Sequence, residues 1–477
     1  MNKLKRQFGE FALLTSRSTI DGTTLFGDES AHVMSDLLIQ NCTLLVIERH
    51  TPRVQVLYDY DILISGARVQ AIQPTGGVDP SHFRRVIEAR GMLAMPGLIN
   101  THAHVPMVLF RGLAEDVSID RWFNEYIWPL EHNLTERDVF NGMLLGLAEM
   151  IRAGITTVAD HYFHMDHAAA AVEQAGTRAL LGWAIFSSSG ERMIERTAEF
   201  VRQWNGAARG RIRALMAPHA PYTCTDDYLR ACAHTARRLG VGIHIHAAEE
   251  RGQTEASLAK RGITPIQVLE QTGILDVPTI IAHACGALPS DIELLARYQA
   301  GIAHAPKTYL KLAMDLTPIQ QCRQLGVPVG LATDGAVSNN TLNLWESLRL
   351  MAMLQKDRAH DPEVMPIAEA LYIATRDSAR VIGMDGELGA IEPGYLADII
   401  LVDQSGLHHQ PLYSRTASLV YNTEIADVHT VIVNGEVIMR DRQLLTIQVE
   451  AILEEIHAAM PRLSRRQLDQ RIQTYNP

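Results

Sequence analysis

The chain has 477 residues, of which 47% are hydrophobic and 20% are charged, as in an ordinary globular protein. Its formal net charge of -11 disfavours a nucleic-acid-binding protein that relies on a basic face. The five cysteines are scattered without a Cys-x-x-Cys pair, the N-terminus does not resemble a secretory signal, and no apolar run is long enough to span a membrane. These features predict a cytoplasmic protein with one large domain and a smaller one.

The two ends of the chain have the pattern of β-strands. Residues 1–34 show no clear periodicity and are predicted to form an N-terminal extension. Short β-branched runs separated by turn residues occupy residues 35–92 and return in residues 390–445. Because chain ends that meet in space can share a domain, the two stretches are predicted to form one small β-sandwich domain. Residues 446–477 are predicted to form a C-terminal helical tail.

Residues 93–389 alternate strands and helices. Thr135 followed three positions later by Asp138 is a capping pattern and predicts the start of one helix. The strands are predicted in the apolar run into His102 and at residues 155–160, 178–185, 211–217, 241–246, 279–283, 301–304 and 327–333. About eight strand–helix units of this kind predict an α/β protein whose large domain is a (β/α)8 TIM barrel.

Polar residues follow several of these strands. His102 and His104 end the first one, and residues i and i+2 of a strand project on the same side. His246, His283 and Asp334 end the fifth, sixth and eighth strands, and the carboxyl ends of barrel strands carry the reacting groups. Taken singly, the polar residues at each strand end could be a pair of surface histidines or a histidine with a structural role. Because the four strand ends that carry these residues would meet at one end of the barrel, a common site is favoured.

This set of residues predicts a metal-dependent hydrolytic site. Three imidazoles and a carboxylate suit Zn²⁺ or Fe²⁺ and leave a position open for water, whose pKa the ion lowers towards neutrality. Glu249 lies three residues beyond His246, where a general acid/base can face the site. The alternative for Glu249 is a solvated loop carboxylate, which is the interpretation preferred for Glu250.

The motifs that include these residues resemble those of the amidohydrolase superfamily. They are Pro-Gly-Leu-Ile-Asn-Thr-His-Ala-His at residues 96–104, His-x-x-Glu at 246–249, Ala-His at 282–283, Thr-Asp-Gly at 333–335 and Gly-Tyr-Leu-Ala-Asp-Ile at 394–399. The resemblance covers residues 35–445. Within the superfamily the chain is similar to the S-adenosylhomocysteine/methylthioadenosine deaminases and to the related s-triazine hydrolases, through Pro-His-Ala-Pro-Tyr at 218–222 and Asp-Gly-Ala-Val-Ser-Asn-Asn at 334–340.

The resemblance implies a role for each catalytic residue. One divalent ion, Zn²⁺ with Fe²⁺ or Mn²⁺ as alternatives, would be held by His102, His104, His246 and Asp334. Hydroxide supplied by the ion would attack a ring carbon, with Asp334 taking the proton of the water. His283 would hydrogen-bond the attacking oxygen, and Glu249 would protonate a ring nitrogen before ammonia leaves.

The resemblance also implies substrate-binding residues. Glu131 would bind ribose hydroxyls, with a helix-surface carboxylate as the alternative, and His219 would contact the substrate. Trp183 stands where the members that use S-adenosylhomocysteine have an arginine; it would stack on the substrate ring or pack in the barrel wall. Arg192 matches a second carboxylate-binding arginine once a gap is allowed. Lys307, bulkier than the family's residue after the seventh strand, would reshape the pocket wall.

The leading hypothesis is therefore a deaminase of an aminated N-heterocycle, most similar to those acting on adenosine derivatives. The alternatives are an s-triazine amino- or chlorohydrolase and a pterin or guanine deaminase of the same superfamily. A non-catalytic amidohydrolase-like scaffold is the alternative of another class, but it would be expected to lack metal ligands that are present here. The expected partners are a small heterocyclic substrate and further copies of the chain in a homo-oligomer, with no nucleic acid and no membrane.

Overall fold

The computed structural model describes residues 35–468. The predicted extension 1–34 and the end of the predicted tail lie outside these residues. The strands are β1 Ser35–Ile47, β2 Val54–Ser65, β3 Arg68–Pro74, β4 Phe83–Glu88, β5 Met92–Pro96, β6 Leu98–His104, β7 Ile155–Tyr162, β8 Arg178–Ile185, β9 Ile212–Pro218, β10 Ile243–Ala247, β11 Thr279–His283, β12 Gly301–His304, β13 Val329–Leu331, β14 Asp334–Gly335, β15 Ile399–Asp403, β16 Val428–Val433, β17 Glu436–Arg440 and β18 Gln443–Leu444.

The helices lie mainly between the strands of the middle region. They are α1 Ile119–Arg121, α2 Trp128–Glu131, α3 Glu136–Arg152, α4 Met165–Ala175, α5 Arg192–Trp204, α6 Ala207–Gly210, α7 Asp226–Leu239, α8 Arg251–Arg261, α9 Pro265–Gln271, α10 Pro289–Tyr298, α11 Pro306–Lys311, α12 Ile319–Gln324, α13 Leu344–Ala359, α14 Ile367–Tyr372, α15 Ser378–Val381, α16 Arg415–Tyr421 and α17 Val449–Leu463. Within the described part of the chain, no helix is both long enough and apolar enough to cross a membrane.

The middle region forms a curled parallel sheet with the order β13-β12-β11-β10-β9-β8-β7-β6-β14. At one end of this path β13 pairs with β12, and at the other end β14 pairs with β6. Only two residues, Ala332 and Thr333, separate β13 from β14. The sheet therefore begins and ends on the same short stretch of chain, and the α/β class predicted from the alternation is confirmed.

Local signals explain where several helices begin. The Thr135 hydroxyl oxygen accepts a hydrogen bond from the Asp138 backbone, and the Asp138 carboxylate accepts one from the Thr135 backbone, which is the reciprocal box predicted for the start of α3. Helix α8 was missed in the sequence because it has no apolar stripe: only Gln253 and Thr254 are buried along it. Helix α11, between Pro306 and Lys311, is too short to show a period.

The remaining strands form a mostly antiparallel sheet. Its order is β18-β17-β16-β15-β5-β1-β2-β3, with β4 beside β1 and off this path. The pairs of β1 with β4 and with β5 are parallel, and the other pairs in this sheet are antiparallel. Strands that precede the parallel sheet in the chain thus share one sheet with strands that follow it.

Gly97 connects the two sheets. Pro96 ends β5 in the antiparallel sheet and Leu98 begins β6 in the parallel one. A Cβ atom at position 97 would lie 2.2 Å from Cγ2 of Thr156 in β7. Any residue other than glycine would therefore force this part of the chain away from β7. The Gly97 amide also donates to the backbone oxygen of Asp398 at 2.9 Å.

A buried ion pair fastens the two sheets together at the same place. The guanidinium of Arg178, the first residue of β8, donates to both carboxylate oxygens of Asp398, with Nε–Oδ2 at 2.9 Å and Nη2–Oδ1 at 3.0 Å. Both side chains are 2% exposed. The side-chain oxygen of Asn434 accepts a further bond from Nη2 at 3.1 Å, and the Asn434 backbone amide donates to Oδ1 of Asp398 at 2.7 Å. Each charged group is therefore paired within a hydrogen-bonded network.

We expect Arg178→Met to lower the free energy of unfolding by about 3–5 kcal/mol, because the substitution leaves the Asp398 carboxylate buried without its cation. Urea denaturation followed by circular dichroism measures the change. Arg68→Met is the matched control, since the Arg68 and Glu387 side chains are 48% and 34% exposed and their pair is expected to contribute less than about 1 kcal/mol. Equal losses for the two variants would contradict the assignment.

Candidate metal centre and substrate cavity

Strand register brings five predicted residues to one end of the parallel sheet. His102 and His104 close β6, and the pairing of β14 with β6 sets Asp334 beside Ala103. On β10 and β11, His246 pairs with Ala282 and Ala247 pairs with His283. The ends of four strands thus contribute five side chains to the same region, as the sequence predicts for a barrel.

The ligating atoms of these residues lie close together. Oδ1 of Asp334 is 3.3 Å from Nε2 of His102 and 3.3 Å from Nε2 of His104. Nε2 of His104 is in turn 3.3 Å from Nε2 of His246. The ligating atoms of His102, His246 and His283 also lie within 4.8 Å of one another.

The opposite ring nitrogens are held by other groups. Nδ1 of His104 lies 2.5 Å from the backbone oxygen of His161, and Nδ1 of His246 lies 2.9 Å from that of His219. A carbonyl accepts only from a protonated nitrogen, so each ring in its neutral form turns an Nε2 lone pair towards the cluster. Burial lowers the pKa of His104, but the Asp334 carboxylate raises it to about 9, so a bound cation would displace its Nε2 proton. Outer groups commonly fix the orientation of metal-ligating histidines in this way.

Two further contacts complete this outer layer. Nδ1 of His102 lies 2.9 Å from Nε2 of His244, and the Ser338 hydroxyl donates to Oδ2 of Asp334 at 2.7 Å. Both contacts leave the inner atoms, Nε2 of His102 and Oδ1 of Asp334, directed at the cluster.

The donor set fits a divalent ion. Nε2 of His102 is buried and has no hydrogen-bond partner among the described residues, which is costly unless another group occupies the site. Burial lowers the pKa of His102 and of His246, so both rings are held neutral. Burial raises the pKa of Asp334, but the adjacent imidazoles of His102 and His104 hold it well below its usual range. Neutral imidazoles around an ionised carboxylate are a suitable ligand set for a first-row divalent metal.

Glu249 adds a buried carboxyl group beside this cluster. It follows β10, its side chain is buried, and the hydroxyl of Tyr222 donates to its Oε1 at 2.8 Å. Burial raises the pKa of Glu249 to about 7. The carboxyl can therefore gain or lose a proton near neutral pH, as general acid/base catalysis requires.

A cavity opens over the cluster and has an aromatic wall. It contains about 620 Å³ of space free of protein atoms, including its mouth, and His104, His246, His283, Glu249 and Asp334 all line it. Its aromatic residues are Trp122, Phe123, Trp128, Tyr162, Phe163 and Phe186. Such a wall offers flat apolar surface to a heterocyclic ring.

Glu131 and His219 also line this cavity. Glu131 is the last residue of α2 and is only 5% exposed, so it is not a helix-surface carboxylate. Burial raises its pKa to about 7, and no described residue hydrogen-bonds its Oε1. The His219 ring stacks on Phe186 at 4.7 Å, and its Nδ1 lies 3.0 Å from the Thr223 hydroxyl. Both residues are placed where a substrate could reach them.

Three other predicted residues are not among the described residues that line the cavity. Trp183 packs instead against α5, with the guanidinium carbon of Arg196 4.6 Å from its ring centre and Phe200 at 5.9 Å. Arg192 is exposed at the start of α5. Lys307 donates to Glu346 at 2.7 Å. The structure therefore does not bring these three side chains to the site.

Strand alternation explains why Trp183 packs against α5, the second of the two alternatives that the sequence left open. Successive side chains of β8 point to opposite faces, and it is Ala184, the next residue, that lines the cavity. A sequence position inside a barrel strand does not tell which face it occupies unless the register is known.

Sequence reasoning also missed two buried histidines. His161 is the second-last residue of β7, the same place that His246 has in β10, so its position at a strand end already marks it in the sequence. His244 and His246 repeat the His-x-His spacing of His102 and His104, so both point to the same side of β10. Both signals were present in the sequence.

Comparisons with known proteins agree with this geometry. The family model described as the amidohydrolase family matches residues 93–438. A 5-methylthioadenosine/S-adenosylhomocysteine deaminase from Pelotomaculum thermopropionicum is 42% identical over 438 residues, which are 91% of this chain and all of that protein. The enzyme of the same name from Moorella thermoacetica is 40% identical, covering 90% of this chain and 99% of its own length.

Two solved structures with zinc are also similar. An adenosine deaminase from Xanthomonas campestris has a TM-score of 0.85 and 31% identity, covering 90% of this chain and 98% of its own. An atrazine chlorohydrolase from Arthrobacter aurescens has a TM-score of 0.79 and 26% identity, covering 89% of this chain and 100% of its own. The resemblance and the hydrolase class expected from the sequence motifs are thereby confirmed. The chain belongs to the amidohydrolase family.

Proposed function

We propose that the protein is a metal-dependent hydrolytic deaminase of an adenosine derivative, of the 5-methylthioadenosine/S-adenosylhomocysteine type. The observation that carries the proposal is the approach of His102, His104, His246 and Asp334 to one point, with the buried carboxyl of Glu249 on the same cavity. The names of the relatives at 42% and 40% identity support the substrate class.

We also propose the finer architecture that this function uses. The parallel sheet is a (β/α)8 barrel spanning residues 93–389 and closed by an eighth strand that contains β13 and β14. Residues 35–92 and 390–445 form the small β domain, which is followed by the helical tail that contains α17. The five cysteines are all unpaired, which supports a reducing compartment such as the cytoplasm. We further propose that the protein acts as a homo-oligomer.

The proposed ligands of a single divalent ion are His102, His104, His246 and Asp334. Zn²⁺ is the first choice, with Fe²⁺ or Mn²⁺ as alternatives. When bound, the ion lowers the pKa of a water molecule and supplies hydroxide at neutral pH. The protein holds the ligands in place through the His161 and His219 carbonyl oxygens and the Ser338 hydroxyl.

Side chains of the protein accept, donate and position the protons of the reaction. Asp334 accepts the proton of the attacking water, because its carboxylate is kept ionised by the imidazoles around it. Glu249, oriented by Tyr222, gives a proton to the ring nitrogen next to the attacked carbon. Nδ1 of His283 is buried without a partner among the described residues and is free to hydrogen-bond the attacking oxygen. The proton held by Asp334 then passes to the amino group, ammonia leaves from the tetrahedral carbon, and the hydroxyl on that carbon returns a proton to Glu249 as the carbonyl forms.

The cavity supports a nucleoside with a neutral substituent. The aromatic wall accepts the purine, and Glu131 accepts hydrogen bonds from ribose hydroxyls. No arginine or lysine is among the described residues that line the cavity, so no cationic side chain there would pair with the carboxylate of an amino-acid substituent. We therefore propose that 5-methylthioadenosine is a better substrate than S-adenosylhomocysteine, which carries an additional carboxylate.

The metal site predicts the result of His246→Ala. Removal of one of four ligands should reduce bound Zn²⁺ from about one equivalent to less than about a tenth, as measured by atomic emission on the dialysed protein. His234→Ala is the control, since His234 is exposed on α7 and far from the cluster in the fold. Wild-type protein that retains no Zn²⁺, Fe²⁺ or Mn²⁺ would instead favour a non-catalytic scaffold.

The acid/base role predicts the result of Glu249→Gln. The amide keeps the shape of the side chain but cannot transfer the proton, so kcat for ammonia release should fall by about 10²–10⁴-fold while the metal content stays unchanged. Glu250→Gln, at the next position and not among the described lining residues, should retain activity. A loss of less than tenfold for Glu249→Gln would contradict its role.

The substrate proposal predicts a ranking of kcat/KM. Ammonia release from 5-methylthioadenosine should exceed that from S-adenosylhomocysteine by about tenfold or more, equivalent to about 1.4 kcal/mol. Adenosine, a pterin and an amino-s-triazine complete the panel. Equal rates for the first two substrates would overturn the specificity alone. Product release from the triazine, with none from an adenosine compound, would favour the alternative supported by the similarity to atrazine chlorohydrolase.

A further inference from the structure

His161 is a buried histidine that the reaction described above does not use. It lies near the end of β7, is 1% exposed and lines the substrate cavity. Its ring centre is 4.9 Å from that of His246, 5.4 Å from that of His244, 5.9 Å from that of His104 and 6.0 Å from that of His219. The side chain is therefore part of the wall of imidazoles around the proposed metal ligands.

Both ring nitrogens of His161 are buried without a hydrogen-bond partner among the described residues. Several other buried histidines of the same sheet bond at least one nitrogen. His304 uses Nδ1 with Thr317, His219 uses Nδ1 with Thr223, and His244 uses Nε2 with His102. A histidine kept only for packing would be expected to make such a bond, because an unpaired buried polar atom is unfavourable. His161 thus lines the cavity with a ring whose two nitrogens are both unsatisfied among the described residues.

The position of His161 matches that of a metal ligand. The ligating atoms of His104, His161 and His246 lie within 4.8 Å of one another, the same limit that includes His102, His104 and Asp334. Nitrogen ligands bind Zn²⁺ at about 2.0–2.1 Å, so two nitrogens on opposite sides of one ion are about 4.2 Å apart. His104 and His246 belong to the proposed ligand set, so an ion bound there is within reach of His161 after a small adjustment.

We propose that His161 is a fifth protein ligand of the divalent ion. The proposal rests on the metal-dependent function given above and extends its ligand set to a residue of the second barrel strand. A fifth ligand raises the coordination number, still leaves room for water, and slows the loss of the ion. The backbone oxygen of His161 also holds Nδ1 of His104, so one residue would act on the ion through its side chain and on another ligand through its backbone.

This arrangement allows a clean experiment, because substitution of the side chain retains the backbone oxygen. Zinc-loaded wild-type protein, His161→Asn and His161→Met are mixed with excess chelator, and Zn²⁺ release is followed with a chromophoric indicator. We expect release to be about 10- to 100-fold faster in both variants, the range over which even outer groups affect metal affinity. The visible absorption bands of the Co²⁺-loaded variants should intensify and shift, because the coordination number falls.

His304→Asn is the matched control. It also removes a fully buried histidine at the end of a strand in the same sheet, but His304 is not within ligand distance of the cluster in the described structure. Its Zn²⁺ release and Co²⁺ spectrum should equal those of the wild type. His161→Met fills the buried position with an apolar side chain and reports on the ligand if the polar Asn variant does not fold.

The outcomes separate the two proposals. Wild-type protein that binds no divalent metal would overturn the proposed function itself. Metal-loaded wild type and His161→Met with the same release rate and the same Co²⁺ spectrum would overturn the role of His161 and leave the four-ligand site intact. Faster release in His304→Asn as well would assign the effect to the loss of any buried histidine and would also overturn the role.

Discussion

The pairing of β14 with β6 is the constraint on which the rest of the site depends. It brings Asp334 beside Ala103, between the two histidines of β6, and so places one carboxylate oxygen 3.3 Å from two imidazoles. Burial of a carboxylate and several imidazoles without compensation is unfavourable. The Asp334 carboxylate is compensated by the imidazoles of His102 and His104, and a bound cation would satisfy the ring nitrogens that have no partner among the described residues.

The two ends of the parallel sheet have different tasks. At the end where the strands begin, Gly97 allows close approach to Thr156, and the Arg178–Asp398 pair fastens the antiparallel sheet. At the carboxyl end, backbone carbonyls orient His104 and His246, and the Ser338 hydroxyl orients Asp334, all three of which are proposed ligands. This division, with stability at one face and chemistry at the other, is typical of barrel enzymes. The site can contain unsatisfied polar atoms because the opposite end of the sheet is stabilised by the hydrogen-bonded Arg178–Asp398 pair.

The carboxyl groups that line the cavity also differ in pKa. Burial raises the pKa of both Glu131 and Glu249 to about 7, whereas Asp334 keeps a pKa well below its usual range because His102 and His104 stabilise its charge. Groups of one chemical type thus differ in protonation according to their surroundings. A protonatable Glu249 beside an ionised Asp334 is the combination that an acid and a base in one hydrolytic reaction require.

The sequence by itself determined the ligand types and the strand alternation. The His-x-His end of the first strand, the histidines at 246 and 283 and the aspartate at 334 are recognisable because the apolar runs before them mark strand ends. The capping pattern at Thr135 likewise marked α3, because helix starts depend on neighbouring residues.

Only the tertiary structure decided which side chains face the cavity. Trp183 points to α5 and Ala184 to the substrate space, a choice that depends on register and twist across the whole sheet. Burial of Glu131, the ion pairing of Lys307 and the unpartnered nitrogens of His161 depend in the same way on distant segments. Local sequence specifies which chemical groups stand at each strand end, whereas their neighbours, and hence their charge and exposure, arise from packing between residues far apart in the chain.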